Sequence, residues 1–241
     1  MRIYANAYEL MSELFREVYE MGHIVHPMSM QNKDVAGDDS FSTKEITNYS
    51  YSLTTLNKVD YLFYADPKAR EWADAEFEER VMPAEKFHNP GLAWLKRRHI
   101  WEEFLNEEGA FDYTYNERIQ RSLAYVIFEL RRNPDSRQAI ITIWDNGHDP
   151  LGLGGTFRVP CSMYYQLMVR KGQVNIIYNQ RSADIVTHFG NDVYLAWKLM
   201  EYVAREINIK PGYLFHNIGS LHAYKKDWPI LKQCIEDIKV G

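Results

Sequence analysis

The stretch that most restricts the fold is a pair of alternating runs, residues 162–170 and 173–179, joined by Lys171-Gly172. Period-two alternation puts apolar side chains on one face, and a two-residue link ending in glycine marks a hairpin, so the chain contains an antiparallel strand pair. Further elements flank it. Residues 192–207 form a long apolar-rich helix, with Asn191 placed to cap it. Short strands at 212–217 and 220–224 and a last helix at 227–238 follow. Upstream, Leu10, Leu14 and Val18, with Met11 and Phe15 beside them, give helical spacing over 4–21, and Gly22 is a stop. Residues 27–45 are polar and irregular, which predicts a mobile loop. Tyr49, Tyr51 and Leu53 alternate with serines as a half-buried strand. Residues 68–82 and 118–132 are read as helices, the second ended by Asn133-Pro134, and 139–144 as a strand. Pro90-Gly91 marks a turn, and 149–155, with three glycines and a proline, a loop. This mixture predicts an α+β fold, an antiparallel or mixed sheet with segregated helices.

Within 241 residues there is no internal repeat, low-complexity tract or long linker, so a single domain over 1–241 is expected. With 46% hydrophobic and 25% charged residues, there is enough apolar material for a sizeable core. A net charge of -5 argues against a nucleic-acid coat, yet a few arginines suffice for one phosphate. Two cysteines make no disulfide framework, and no Cys/His spacing suggests zinc. The first 22 residues carry acids throughout, unlike a signal or transit peptide. No run of about 18 apolar residues exists to span a membrane. The cytosol is the expected compartment.

The chemistry concentrates in Arg158-Val159-Pro160-Cys161 and in Gln180-Arg181-Ser182-Ala183-Asp184. A cysteine attacks as the thiolate, and its ordinary pKa of about 8.5 must be lowered by a nearby positive charge. Arg181 supplies that charge and meets a phosphate through paired N–H groups. The pairing predicts a site that binds an anionic substrate and attacks it covalently. A free cysteine is more often a small buried hydrophobe, and Cys234, in the last helix, keeps that reading.

These blocks, with Asn133-Pro134-Asp135-Ser136-Arg137, Asn191-Asp192 and Gly219-Ser220-Leu221-His222-Ala223-Tyr224, resemble thymidylate synthases and their relatives, the pyrimidine-nucleotide hydroxymethylases. The motifs are closest to those of the deoxycytidylate hydroxymethylases of some phages. The likeness covers about residues 95–225. It implies that Cys161 adds to C6 of a pyrimidine, turning C5 into a carbon nucleophile. It also implies that Arg181 and Ser182 bind the phosphate. By the same resemblance, Arg137 is expected to reach the phosphate across a homodimer interface, where Gln138 replaces a second arginine. His222 and Tyr224 match the pair that contacts the sugar 3′-hydroxyl, and Asp184 matches the acid that helps to hold the folate and the water network at the base. Trp101 resembles the tryptophan near the folate, Tyr115 resembles the active-site tyrosine, and Glu76 is the best match to the general acid/base, with Glu71 and Glu78 as rivals.

Asp192 decides the base in this resemblance. Thymidylate synthases carry asparagine there, whereas an ionised carboxylate only accepts. It suits the 4-amino group of cytosine and a proton shared with N3. A shift of one residue would put Asn191 at the base instead and restore uracil, and either residue can also cap the helix that follows. The expected reaction is 5-hydroxymethylation of dCMP or CMP, with 5,10-methylenetetrahydrofolate as co-substrate and no metal. Methylation or hydroxymethylation of dUMP is the alternative, and an inactive nucleotide-binding homologue a further one. Ser162 replaces the histidine that usually follows the nucleophile. The C-terminal lid over the folate that synthases of the family carry is not expected here, where water is itself the reactant.

Overall fold

The computed structural model describes residues 1–31, 33–149 and 158–240. A short strand, β1 (Arg2–Tyr4), precedes α1 (Ala7–Met21). The helix starts later than its periodicity predicts because Asn6 caps it, accepting from the Glu9 N–H, and Tyr4 is drawn into the sheet. The region read as a loop holds β2 (His23–Val25), the small hairpin β3 (Ser29–Met30) and β4 (Lys33–Asp34), and the start of β5 (Thr43–Leu53). Its polarity misled because Thr43 and Glu45 line a cavity rather than the core.

Next come α2 (Ala69–Val81) and two single turns, α3 (Ala93–Lys96) and α4 (Arg98–Trp101). The helix predicted over 118–132 is two, α5 (Tyr115–Gln120) and α6 (Leu123–Arg132). A capping box between Thr114 and Glu117 starts α5 early, and Ser122, at φ -136°, breaks the run. Then follow β6 (Ile140–Thr142), β7 (Ser162–Arg170), β8 (Gln173–Asp184), α7 (Phe189–Glu206), β9 (Lys210–Tyr224) and α8 (Trp228–Val240). The loop expected over 149–155 lies, from Pro150 on, outside the described residues.

Lys171 and Gly172 both have positive φ, as a primed two-residue hairpin turn requires. The strands predicted at 212–217 and 220–224 are one. Gly219 does not turn the chain; a side chain there would strike the Arg181 carbonyl at 2.6 Å, so glycine lets β9 pass close to β8.

The sheet order is β1-β5-β9-β8-β7-β6, with β2 also on β5. The β1–β5 and β8–β9 pairs are parallel and the others antiparallel, so the sheet is mixed. One face carries Leu53, Tyr51, His216, Tyr178 and Tyr165, all buried, and α7 covers it with Phe189, Val193 and Met200. Cross-strand partners share a face. That face therefore continues past the start of α7 through Ser182 and Asp184 on β8, their partners Ser220 and His222 on β9, and Glu45 opposite His222 on β5. These polar residues are where the helix stops covering the sheet.

Candidate active site

The uncovered part of this face floors a cavity of about 890 Å³, walled by α2, the α3–α4 turns, the start of α5 and the start of α7. Cys161, Glu76, Asp184, Tyr115, Arg181, Ser182, Asn191, Asp192, His222, Tyr224 and Trp101 all line it.

The hairpin brings the two chemical blocks together. Cys161 directly precedes β7, Ser162 pairs with Gln180, and the Arg181 N–H donates to the Cys161 carbonyl at 2.8 Å. The Arg181 guanidinium clasps the same turn, with Nε on the Pro160 carbonyl (2.8 Å) and Nη2 on that of Val159 (3.1 Å). Its Nη1 donates to Ser182 Oγ (3.3 Å), whose hydroxyl is directed at Cys161 Sγ (3.6 Å). The Arg181 guanidinium is thus linked to the sulfur through one hydroxyl. Tyr115 braces the turn from the other side, its hydroxyl bonded to Ser162 Oγ (3.2 Å), which also meets Tyr178 (2.6 Å).

The acidic wall belongs to α2 and α7. Of the three glutamates considered on α2, Glu76 lines the cavity, whereas Glu71 and Glu78 are exposed and do not. Buried Arg80, one turn on, donates to Glu76 Oε1 from Nε (2.8 Å) and Nη2 (2.5 Å). Its guanidinium lies 4.2 Å from the centre of the Tyr115 ring. Glu79 also lines the cavity; burial pushes its carboxyl up, though it accepts from the Ala93 N–H at 2.6 Å.

Asp192 is held from the sheet. The Tyr51 hydroxyl donates to Nδ1 of buried His216 (3.0 Å), a ring that burial pushes down to about 3 and keeps neutral. Its Nε2–H then donates to Gln180 Oε1 (3.0 Å), and the Gln180 amide donates to Asp192 Oδ2 (2.7 Å). Burial pushes Asp192 up to about 7, opposed by the Gln180 bond and by Arg80. The helix starts at Phe189, so neither Asn191 nor Asp192 caps it, correcting that expectation. Instead the Asp184 carboxylate accepts from the Val186 (3.0 Å) and Thr187 (3.3 Å) N–H groups before α7. Asn191, with its amide turned as its neighbours require, donates to the Ala69 carbonyl (3.3 Å) and accepts from Arg97 (3.2 Å).

A further part of the lining is aromatic. Trp101, Phe104, Phe111 and Tyr113 belong to it, and the Arg158 guanidinium lies 4.7 Å from the Trp101 ring centre and 5.0 Å from that of Tyr113. His188 tilts against Trp101 at 5.5 Å and is pushed down to about 4, mainly by burial. Such a wall fits a flat heteroaromatic ring. On β9, His222 and Tyr224 meet edge to face at 5.2 Å.

Arg137 stands apart. It is exposed, does not line the cavity, and its carbonyl accepts from Gln166 on the sheet face away from α7. Among the described residues no cluster of acids, histidines and cysteines is suited to a metal, and no helix is long and apolar enough to cross a membrane. Sequence reasoning missed Arg80, His188, His216, Glu45 and Glu79, and did not see Arg158 as a cavity residue. Only the helical i,i+4 spacing of Glu76 and Arg80 signalled any of them.

The thymidylate synthase family profile matches residues 86–239, and the chain belongs to that family. It is 31% identical over 134 residues to a protein named putative thymidylate synthase from Methanosarcina barkeri, covering 53% of this chain and 60% of that one. A like-named protein from Methanosarcina acetivorans is 28% identical over 156 residues, 61% and 70% of the two chains. The thymidylate synthase of Mycoplasma pneumoniae is 29% identical over 167 residues, 68% and 51%. The matches thus span about half to seven-tenths of these relatives' lengths.

Proposed function

We propose that this protein transfers the one-carbon unit of 5,10-methylenetetrahydrofolate to C5 of a cytidine monophosphate, dCMP or CMP, and releases the 5-hydroxymethyl product. One observation carries the reading. The carboxyl group of Asp192, not an amide, faces the cavity of Cys161, and it is held near 7. A group at that pKa shares its proton with cytosine N3 while its other oxygen accepts from the 4-amino group.

In this reading the nucleotide phosphate lies at Arg181, and the sugar hydroxyl at His222 and Tyr224. The Cys161 thiolate adds to C6, and the electron pair that reaches C5 attacks the methylene carbon. Glu76 takes the C5 proton as tetrahydrofolate leaves, giving an exocyclic methylene on the ring. Water adds to that carbon, the C5–C6 double bond re-forms, and the thiolate departs. The aromatic wall from Trp101 to Tyr113 receives the folate ring system.

We also read the protein as one domain and as a homodimer. The sheet face away from α7 carries Ile140, Tyr164 and Tyr213, exposed by 39%, 37% and 41%, and Arg137 lies beside it. A partner on this face brings Arg137 toward the second site.

Methylation of dUMP is the second reading. It is favoured by the names of the relatives and by the protonated form of Asp192, which offers an O–H and a C=O as an amide offers N–H and C=O. The test is incubation with dCMP, CMP or dUMP plus methylenetetrahydrofolate, with products weighed by mass spectrometry. A cytosine nucleotide gaining one CH2O unit is expected. Conversion of dUMP alone, with a gain of CH2, overturns the cytosine reading.

A further inference from the structure

The sugar end of the cavity contains a carboxylate that the mechanism above does not use. Glu45 stands opposite His222 in the β5–β9 register, and Ser220 is two residues from His222 on β9, so all three side chains share the cavity face. Ser220 Oγ lies 2.6 Å from Glu45 Oε2 and 3.2 Å from His222 Nδ1.

A serine hydroxyl has one proton, and a carboxylate can only accept. At 2.6 Å the proton goes to Glu45. The Ser220 oxygen then presents only a lone pair to His222, so Nδ1 must carry a hydrogen. A neutral imidazole protonated at Nδ1 has a bare Nε2. That nitrogen has no protein partner among the described residues, and His222 lines the cavity.

We propose that Glu45, acting through the Ser220 hydroxyl, fixes the tautomer of His222 and makes its Nε2 an acceptor for a hydroxyl donor on the substrate sugar. Glu45 and Ser220 are positioning residues. Without them the ring is free to take the Nε2–H tautomer that a histidine side chain favours in water, and a sugar hydroxyl then loses the lone pair it donated to and must turn to accept instead. The ligand class follows: a nucleoside monophosphate with a free hydroxyl at this end of the sugar is accepted, and one blocked or lacking it there gains nothing from the relay. This last step rests on the nucleotide reading above; the tautomer does not.

Long-range proton–nitrogen NMR of the 15N-labelled free protein tests the tautomer directly, since the Nδ1–H, Nε2–H and doubly protonated rings give different patterns. The His222 signals are assigned by their loss in His222→Asn. The wild type is expected to show a protonated Nδ1 and a bare Nε2. Glu45→Gln and Ser220→Ala, both mild in volume, are expected to shift the ring toward a mixture or to Nε2–H. An Nε2–H or doubly protonated ring in the wild type, or an unmoved pattern in both variants, overturns the relay. In turnover, both variants are expected to raise KM for the nucleotide about tenfold with kcat within about twofold. A 3′-deoxy analogue is expected to be equally poor in all three proteins. An analogue weakened as much as the parent nucleotide overturns the acceptor role. The spectra need no substrate, so absence of all turnover would sink the functional reading while leaving the relay to be judged by NMR alone.

Discussion

At Asp192 a single proton changes what the site can read. A carboxyl group raised to about 7 is mostly protonated below that pH and mostly ionised above it. The protonated form offers one donor and one acceptor and complements either base, O4 with N3–H of uracil or N3 with the 4-amino group of cytosine. Once ionised it keeps acceptors only. Cytosine N3, a far stronger base than the uracil carbonyl, retains the shared proton to higher pH. The ratio of kcat/KM for dCMP over dUMP is therefore expected to rise between about pH 6 and pH 8, approaching roughly ten- to a hundred-fold. Asp192→Asn should flatten the profile and favour dUMP; a ratio equally steep in the variant counts against the assignment. Cys161→Ser is expected to lose turnover while nucleotide binding, followed by calorimetry, changes little. Residual turnover above about a tenth of wild type would remove the thiolate from the mechanism. The motifs made Cys161, Arg181 and Asp184 legible in the sequence, because each sits in a contiguous block. They left Asn191 and Asp192 as rivals, since only the helix start and the Gln180 contact separate them. Arg80, His216 and Glu45 were invisible because folding, not sequence, sets them against their partners.

Among the elements, α5 is tied to the chain beyond β6 by a buried ion pair. Arg118 grips Asp149 with both Nη atoms (2.5 and 2.7 Å), donates to the Ile143 carbonyl (2.6 Å) and lies 3.7 Å from the centre of the Tyr113 ring. The two side chains are 2% and 0% exposed, so removing one partner strands a buried charge. Asp149→Ala is expected to cost about 3–5 kcal/mol, read from denaturant midpoints. The double variant Arg118→Met, Asp149→Ala should recover part of the loss, since no unpaired charge remains. A single variant within about 0.5 kcal/mol of wild type contradicts this role. The element pattern itself was largely legible: the β7–β8 hairpin and most of α1 follow from periodicity, and α2 and most of α7 were also read as helices. It failed where polar residues form strands facing a cavity, as at Thr43 and Glu45 on β5, and where Gly219 permits close packing instead of a turn. Alternation reports burial, and a strand with a wet end does not alternate as a buried one does.

For the whole molecule, the position of Arg137 is the fact to explain. Apart from the rival glutamates Glu71 and Glu78, the other site residues named from the sequence line one cavity, and Arg137 lies on the outer side of the sheet. The homodimer proposed above, built on that face, would present the same patch twice and bring each chain's Arg137 toward the other's phosphate. Gln138 is the next residue, which leaves Arg137 as the guanidinium that the 133–137 block contributes. The consequence is complementation between defective chains. Cys161→Ser lacks the nucleophile but still lends its arginine; Arg137→Ala lacks the arginine but keeps its cysteine. A heterodimer of the two has one site with both parts and one with neither. Co-refolding the variants in equal amounts should make about half the dimers mixed, restoring about a quarter of the wild-type activity per chain. The measurement is turnover at a nucleotide concentration where each parent alone is nearly silent. A mixture no more active than the mean of its parents would mean that Arg137 does not act across the interface.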